Sequence, residues 1–128
     1  MKTKEITVLM VEPGKHPVVI TLKNDLDSLQ KAVSIGTTYQ GPIEIVPLEN
    51  NVCLLCNEEG KLIGLEGNRK VGGDIITGVF YIVGENKDGE LTSLPQEKME
   101  YYKKRFWEIE EYSSADVDNV MLYRFFYI

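Results

Sequence analysis

Apolar residues in this chain come in short runs: Ile6–Val11, Val18–Leu22, Ile43–Leu48, Val52–Cys56 and Ile75–Val83. Runs of five to nine residues, each followed closely by glycine, proline or asparagine, have the length and punctuation of strands. Only two segments carry a helical spacing instead. From Asn24, read as an N-cap with Asp25 and Asp27 in the first turn, Leu26, Leu29 and Val33 share a face. Gly36 then stops this helix near Ile35. The second begins at Ser93-Leu94-Pro95-Gln96, which has the form of a capping box. Its stripe is Met99, Tyr102, Phe106 and Ile109, and it runs to about Tyr112. Short connections and few helices predict an α+β fold, a largely antiparallel sheet with two helices packed on one face.

Pro42 and Pro47 flank and interrupt the third run, which places that strand at a sheet edge because proline donates nothing to a ladder. Asn50-Asn51 turns into the fourth run. Leu62–Leu65 reads as a further strand, Gly67–Gly73 as a loop, and Ile75–Val83 as the longest strand. The chain of 128 residues reads as a single domain with its core at about residues 5–112. Ser113–Asn119 is a polar link, and the apolar Val120–Ile128 is expected to fold back as a strand within a 113–128 extension.

Twenty acidic against fourteen basic side chains give a net charge of −6. The one basic cluster, Lys103-Lys104-Arg105, sits among Glu100, Glu108, Glu110 and Glu111. Nucleic-acid backbones are bound by concentrated lysine and arginine, so direct nucleic-acid binding is not expected. No apolar run is long enough to span a bilayer, and no secretory leader is read in the first ten residues. A cytoplasmic location is expected. Cys53 and Cys56 form a Cys-Leu-Leu-Cys on an apparent strand, where residues three apart face opposite ways. They read as two reduced, buried thiols, with no zinc set and no cofactor expected.

The densest polar stretch is Asn57–Asp74, which holds five glycines in eighteen residues. Its Gly72-Gly73-Asp74 leads into a strand, so it lacks the Gly-Lys-Ser/Thr that opens the helix of a P-loop. Backbone amides and Arg69 could still hold an anion. Glu58 and Glu59 are adjacent on an extended chain and point apart, which suits turn residues better than an acid/base pair. His16, the only histidine, has no orienting partner in the sequence. No catalytic residue and no metal site is assigned. The expected ligand-binding set is Asn57, Glu58, Lys61, Asn68, Arg69 and Asp74 on one surface, with Lys15 nearby.

Trp107 lies about 120° from the centre of the second helix's stripe. Either the C-terminal run covers it or a second subunit does, and a homodimer is expected through that flank or through the C-terminal strand.

Several short motifs occur in order: Val11-Glu-Pro-Gly-Lys15, Asn24-Asp-Leu-Asp-Ser-Leu-Gln30, Ile43-Glu-Ile-Val-Pro-Leu48, Cys56–Leu65, Asn68-Arg69 and Asp74–Gly78. Together they resemble a family known chiefly as a domain of unknown function in Gram-positive gut bacteria, their phages and conjugative elements. The resemblance covers about residues 5–107 and leaves the tail from Tyr112 outside. It implies a mobile-element setting and no established activity. Its motif residues here are Pro13, Gly14, Asn57, Glu58, Gly60, Lys61, Asn68, Arg69, Asp74 and Gly78, of which the glycines can mark the fold alone.

The leading expectation is a non-catalytic accessory protein of a phage or mobile element that binds a small anionic ligand or a host protein. A second is an acidic DNA mimic of anti-restriction type, with Glu108, Glu110, Glu111, Asp116 and Asp118 as its stripe. A third is a small enzyme acting on a nucleotide, with Glu58 or Asp74 as base.

Overall fold

A computed structural model describes residues 4–127. The chain opens with a hairpin of β1 (Glu5–Val11) and β2 (Val18–Lys23), paired from Glu5↔Lys23 to Met10↔Val18. Helix α1 (Leu26–Ala32) follows, then a second hairpin of β3 (Ile43–Glu49) and β4 (Val52–Asn57). Its turn has Asn51 at φ 66°, a conformation asparagine tolerates better than most residues. A small hairpin of β5 (Gly67–Val71) and β6 (Asp74–Thr77) stands apart as its own sheet. Strand β7 (Phe80–Glu85) then inserts between β1 and β4, giving the order β2-β1-β7-β4-β3, antiparallel throughout. β8 (Leu91–Thr92) pairs with the far end of β7 and leads to α2 (Gln96–Arg105), and α3 (Ser114–Tyr127) follows.

The sheet is α+β and antiparallel, as its short apolar runs require, and β3 lies at an edge. The helices depart from expectation: α1 and α2 cover opposite faces. Leu9, Val11, Leu54, Phe80 and Ile82 pack with Met99 and Tyr102 of α2 and with Phe106 just after it. Ile6, Val8, Leu55, Tyr81 and Val83 pack with Leu29 and Val33 on the other side, where the Tyr81 hydroxyl donates to the Ala32 carbonyl at 2.7 Å. The reason is visible in the central strands. Val52-Cys-Leu-Leu-Cys56 and Phe80-Tyr-Ile-Val83 are apolar at every position, so both of their faces need a cover.

Element boundaries shift where polar side chains find better partners. Asp25, not Asn24, caps α1, accepting from the Ser28 amide at 2.8 Å. Asn24 turns inward and donates to the Leu91 carbonyl. Ser93 does not cap α2 either: its hydroxyl accepts from the Thr7 amide at 2.8 Å, tying the start of that helix to β1. α2 stops at Arg105, seven residues before the expected Tyr112. Leu62–Leu65 is a turn and Gly67–Val71 a strand, the reverse of the expected assignment. The expected long strand divides into β6 and β7 at Gly78, which sits at φ +73°. A Cβ there would lie 2.7 Å from Leu65 Cδ1, so the kink and the close approach of Leu65 both need glycine.

The C-terminal extension is a helix rather than the expected strand; Ile128 lies outside the described residues. A reciprocal cap fixes its start. The Asp116 amide donates to Ser113 Oγ at 3.1 Å, and the Ser113 amide donates to Asp116 Oδ2 at 2.8 Å. The extension docks on the small hairpin: Val117 is buried, and a Cβ on Gly67 would meet Tyr112 Cβ at 2.8 Å and Val117 Cγ2 at 3.4 Å.

Candidate functional site

Asn68 and Arg69 are both fully buried. Asn68 Nδ2 donates to the Val11 and Gly78 carbonyls, each at 2.9 Å, and its Oδ1 accepts from Arg69 Nη1 at 2.7 Å. Arg69 Nε donates to the Phe106 carbonyl at 3.1 Å and Nη2 to the Lys15 carbonyl at 2.7 Å. Burial pulls the guanidinium pKa down, and the nearby Glu110 carboxylate partly offsets this. These two side chains therefore clasp β1, the β1–β2 turn, the β6–β7 kink and the end of α2. Their polar atoms serve the protein's own oxygens, not a surface.

The clasp positions an exposed aromatic pair. His16 follows Lys15 and Trp107 follows Phe106, and their rings stack with centroids 4.0 Å apart and 6° between planes. His16 Nδ1 lies 2.7 Å from the Trp107 carbonyl, which only accepts, so Nδ1 carries the proton. The orienting partner that the sequence did not show for His16 is thus 91 residues away. Among the described residues the ring that stacks on Trp107 is the imidazole, and Trp107 stays 44% exposed. Lys15 projects from the same turn with its side chain near Glu12, at 3.7 Å.

The rest of the expected set gathers elsewhere. Asn57, Glu58 and Lys61 line a cavity of about 270 Å³ together with Glu44, Cys56, Leu62, Ile76 and Thr77. Asn57, at the end of β4, shapes the wall: its Oδ1 accepts from the Glu59 amide at 2.8 Å and its carbonyl from the Gly60 amide at 3.2 Å. Gly60 rests on β6, where a Cβ would come within 2.4 Å of Thr77 Oγ1. Lys61 Nζ reaches both oxygens of Asp74 at 2.9 Å, in a pair whose side chains are 22% and 17% exposed. This ion pair ties the β4–β5 turn to the start of β6.

Cys56 lines the cavity with its thiol 3.6 Å from Glu44 Oε1. Burial, with the Glu44 charge beside it, pushes that thiol up to about 12; burial raises Cys53 to about 11. Both sulfurs are therefore protonated at neutral pH and are poor nucleophiles. They lie on opposite faces of β4, each in a different core. Among the described residues no group of three or more His, Cys, Asp or Glu is placed to hold a metal ion.

One surface was expected from seven residues; the fold makes two regions. Lys15, Asn68 and Arg69 belong to the corner beneath Trp107, Asn57, Glu58 and Lys61 line the cavity, and Asp74 joins them through its ion pair with Lys61. Glu44, Thr77, His16 and Trp107 are the site residues the sequence reading did not assign. Glu44 was within reach, because a hairpin turning at Asn50-Asn51 brings it opposite Cys56. His16–Trp107 had no local signal.

Fold and site define an α+β domain on an antiparallel sheet, covered on both faces, with a polar cavity at one place and a buttressed aromatic pair at another. No helix among the described residues is long and apolar enough to cross a membrane. The chain belongs to the family described as domain of unknown function (DUF3846), which matches residues 6–107, from β1 to Trp107 itself. No curated protein and no solved structure matches it.

Proposed function

We propose that this protein is a non-catalytic binding module whose polar cavity receives a basic side chain of a partner protein. The observation that carries this is the division of charge around the cavity. Lys61 is neutralised by Asp74, whereas among the described residues no lysine or arginine pairs with Glu44 or Glu58. Two carboxylates then face the space with their charge uncompensated, which favours a cation. An anion would need Arg69, and that guanidinium is committed to carbonyls in the interior.

Size supports a side chain over a larger ligand. About 270 Å³ falls at the lower end of small-molecule sites, and the rim carries Leu62, 77% exposed, as an apolar contact for a protein surface. The net charge of −6 would speed encounter with a basic partner. The setting carried into this proposal from the resemblance is a phage or mobile element acting on a cytoplasmic host protein.

The test is an NMR titration with N-acetyl-arginine amide as probe. Amide shifts centred on Asn57–Leu62 and Thr77, lost in Glu58→Gln, are expected. If inorganic phosphate moved those amides and the arginine probe did not, the proposal would be wrong.

A further inference from the structure

Trp107 is the only tryptophan of the chain, and it is held with unusual care for an exposed residue. One indole face is covered by the His16 ring, and 44% of the residue's surface is left exposed. Three bonds fix the pair: His16 Nδ1 to the Trp107 carbonyl, and the buried Arg69 to the carbonyls of Lys15 and Phe106, the residues immediately preceding each ring. A ligand stacking there meets a surface whose ordering cost was already met on folding. Trp107 lines a recess of about 500 Å³, together with Glu100, Lys103, Lys104 and Glu108 among the described residues.

We infer that the exposed surface of Trp107 is a stacking site for an uncharged planar heteroaromatic ring, a nucleobase. The ring follows from the platform, because a flat, part-exposed π-surface that lines a recess recognises another flat π-face. The absence of net charge on the ligand follows from the walls. Among the described residues of the lining, two ammonium groups and two carboxylates balance, and that balance gives a phosphate no preference. What they do offer is donors and acceptors together, the pattern that base edges present. The volume is within the range of small-ligand sites. This site is separate from the cation-receiving cavity and stands or falls independently of it. A nucleobase can come from a free nucleoside or from a single strand, and the same experiment separates the two.

The experiment is titration of the full chain with adenosine, read by emission of the lone tryptophan. Saturable quenching by adenosine and none by ribose is expected. Adenosine monophosphate should bind within about threefold of adenosine, because the charges on the described walls balance. Trp107→Ala, checked for folding by circular dichroism, should weaken binding about tenfold or more when followed by line broadening of the adenosine ring protons. His16→Ala keeps the fluorophore, removes its support and should also weaken binding. An oligodeoxyadenylate binding tighter than adenosine would assign the site to single strands, and equal affinity per base would assign it to a nucleoside; either supports stacking. No quenching at adenosine's solubility limit would overturn the inference. So would monophosphate binding more than about tenfold tighter than adenosine. A dimer that Trp107→Ala dissociates and adenosine leaves intact would overturn it too, giving the face to a second copy of the chain.

Discussion

Arg69 and Trp107 stand in a relation of support. The guanidinium, with no surface exposed to solvent, holds the Phe106 carbonyl at 3.1 Å and thereby sets the backbone from which the exposed indole projects. The same side chain holds the Lys15 carbonyl at 2.7 Å, one residue before the histidine that stacks on that indole. A buried charge without a buried counter-charge is costly, and here three neutral oxygens and the more distant Glu110 compensate it.

Arg69→Met keeps the apolar stem and removes all three donors. The Phe106 and Lys15 carbonyls and Asn68 Oδ1 lose their partner, each at about 1–3 kcal/mol, so a loss of about 3 kcal/mol or more is expected. Urea denaturation would measure it. The emission of Trp107 should also shift to the red before unfolding, as the His16 stack loosens. A variant of wild-type stability would refute the clasp.

Gly60→Ala places a methyl 2.4 Å from Thr77 Oγ1 and 3.3 Å from the Thr77 carbonyl. The expected cost is about 1–3 kcal/mol. Thr77→Ala in the same chain removes the nearer obstacle and should recover part of the loss. A double-mutant cycle with no coupling between the two positions would contradict the packing of this turn on β6.

Lys61 and Glu58 line the same cavity but should respond differently. Lys61→Met leaves the mostly buried Asp74 without its ammonium and should cost about 1–3 kcal/mol of stability. Glu58→Gln should leave the thermal midpoint nearly unchanged while abolishing the response to the arginine probe. Equal loss of stability in both variants would assign Glu58 to the framework.

The two thiols predict an alkaline limit. Their folded pKa values, about 11 for Cys53 and about 12 for Cys56, lie above the ordinary value of 9.0 because burial disfavours the thiolate. The unfolded chain therefore releases these protons first as pH rises. The stability they contribute is complete below pH 9.0 and is lost between there and the folded values. Each thiol can contribute a slope of up to about 1.4 kcal/mol per pH unit in that window. The Cys53→Ala/Cys56→Ala double variant should lose less stability on going from about pH 8 to about pH 10, and this difference isolates the thiols from the tyrosines. Parallel pH profiles would show that the sulfurs are not sealed. In the same vein, neither cysteine should react with iodoacetamide until the protein unfolds.

The antiparallel sheet was legible because its signals are local: short apolar runs, Asn50-Asn51 at a hairpin turn, Pro47 on an edge strand. Capping was legible only in kind. Asn24, Asp25 and Ser93 all suit helix starts, and which one serves depends on partners such as Leu91 and Thr7 that are distant in sequence. The C-terminal helix carried its cue in Ser113 and Asp116, but the apolar run after Asn119 outweighed it, since such a run does not itself distinguish helix from strand.

By itself, the sequence determined the class of fold, the two protonated cysteines as core residues, and the polar character of the Asn57–Asp74 stretch. Those follow from neighbours within a few positions along the chain. Only the tertiary structure decided that Arg69 lies inside, that Lys61 is neutralised by Asp74, that the helices divide between the two faces, and that His16 and Trp107 meet. Each of these depends on contacts between residues far apart in the chain, and a side chain's charge or aromaticity says nothing of which distant carbonyl will claim it.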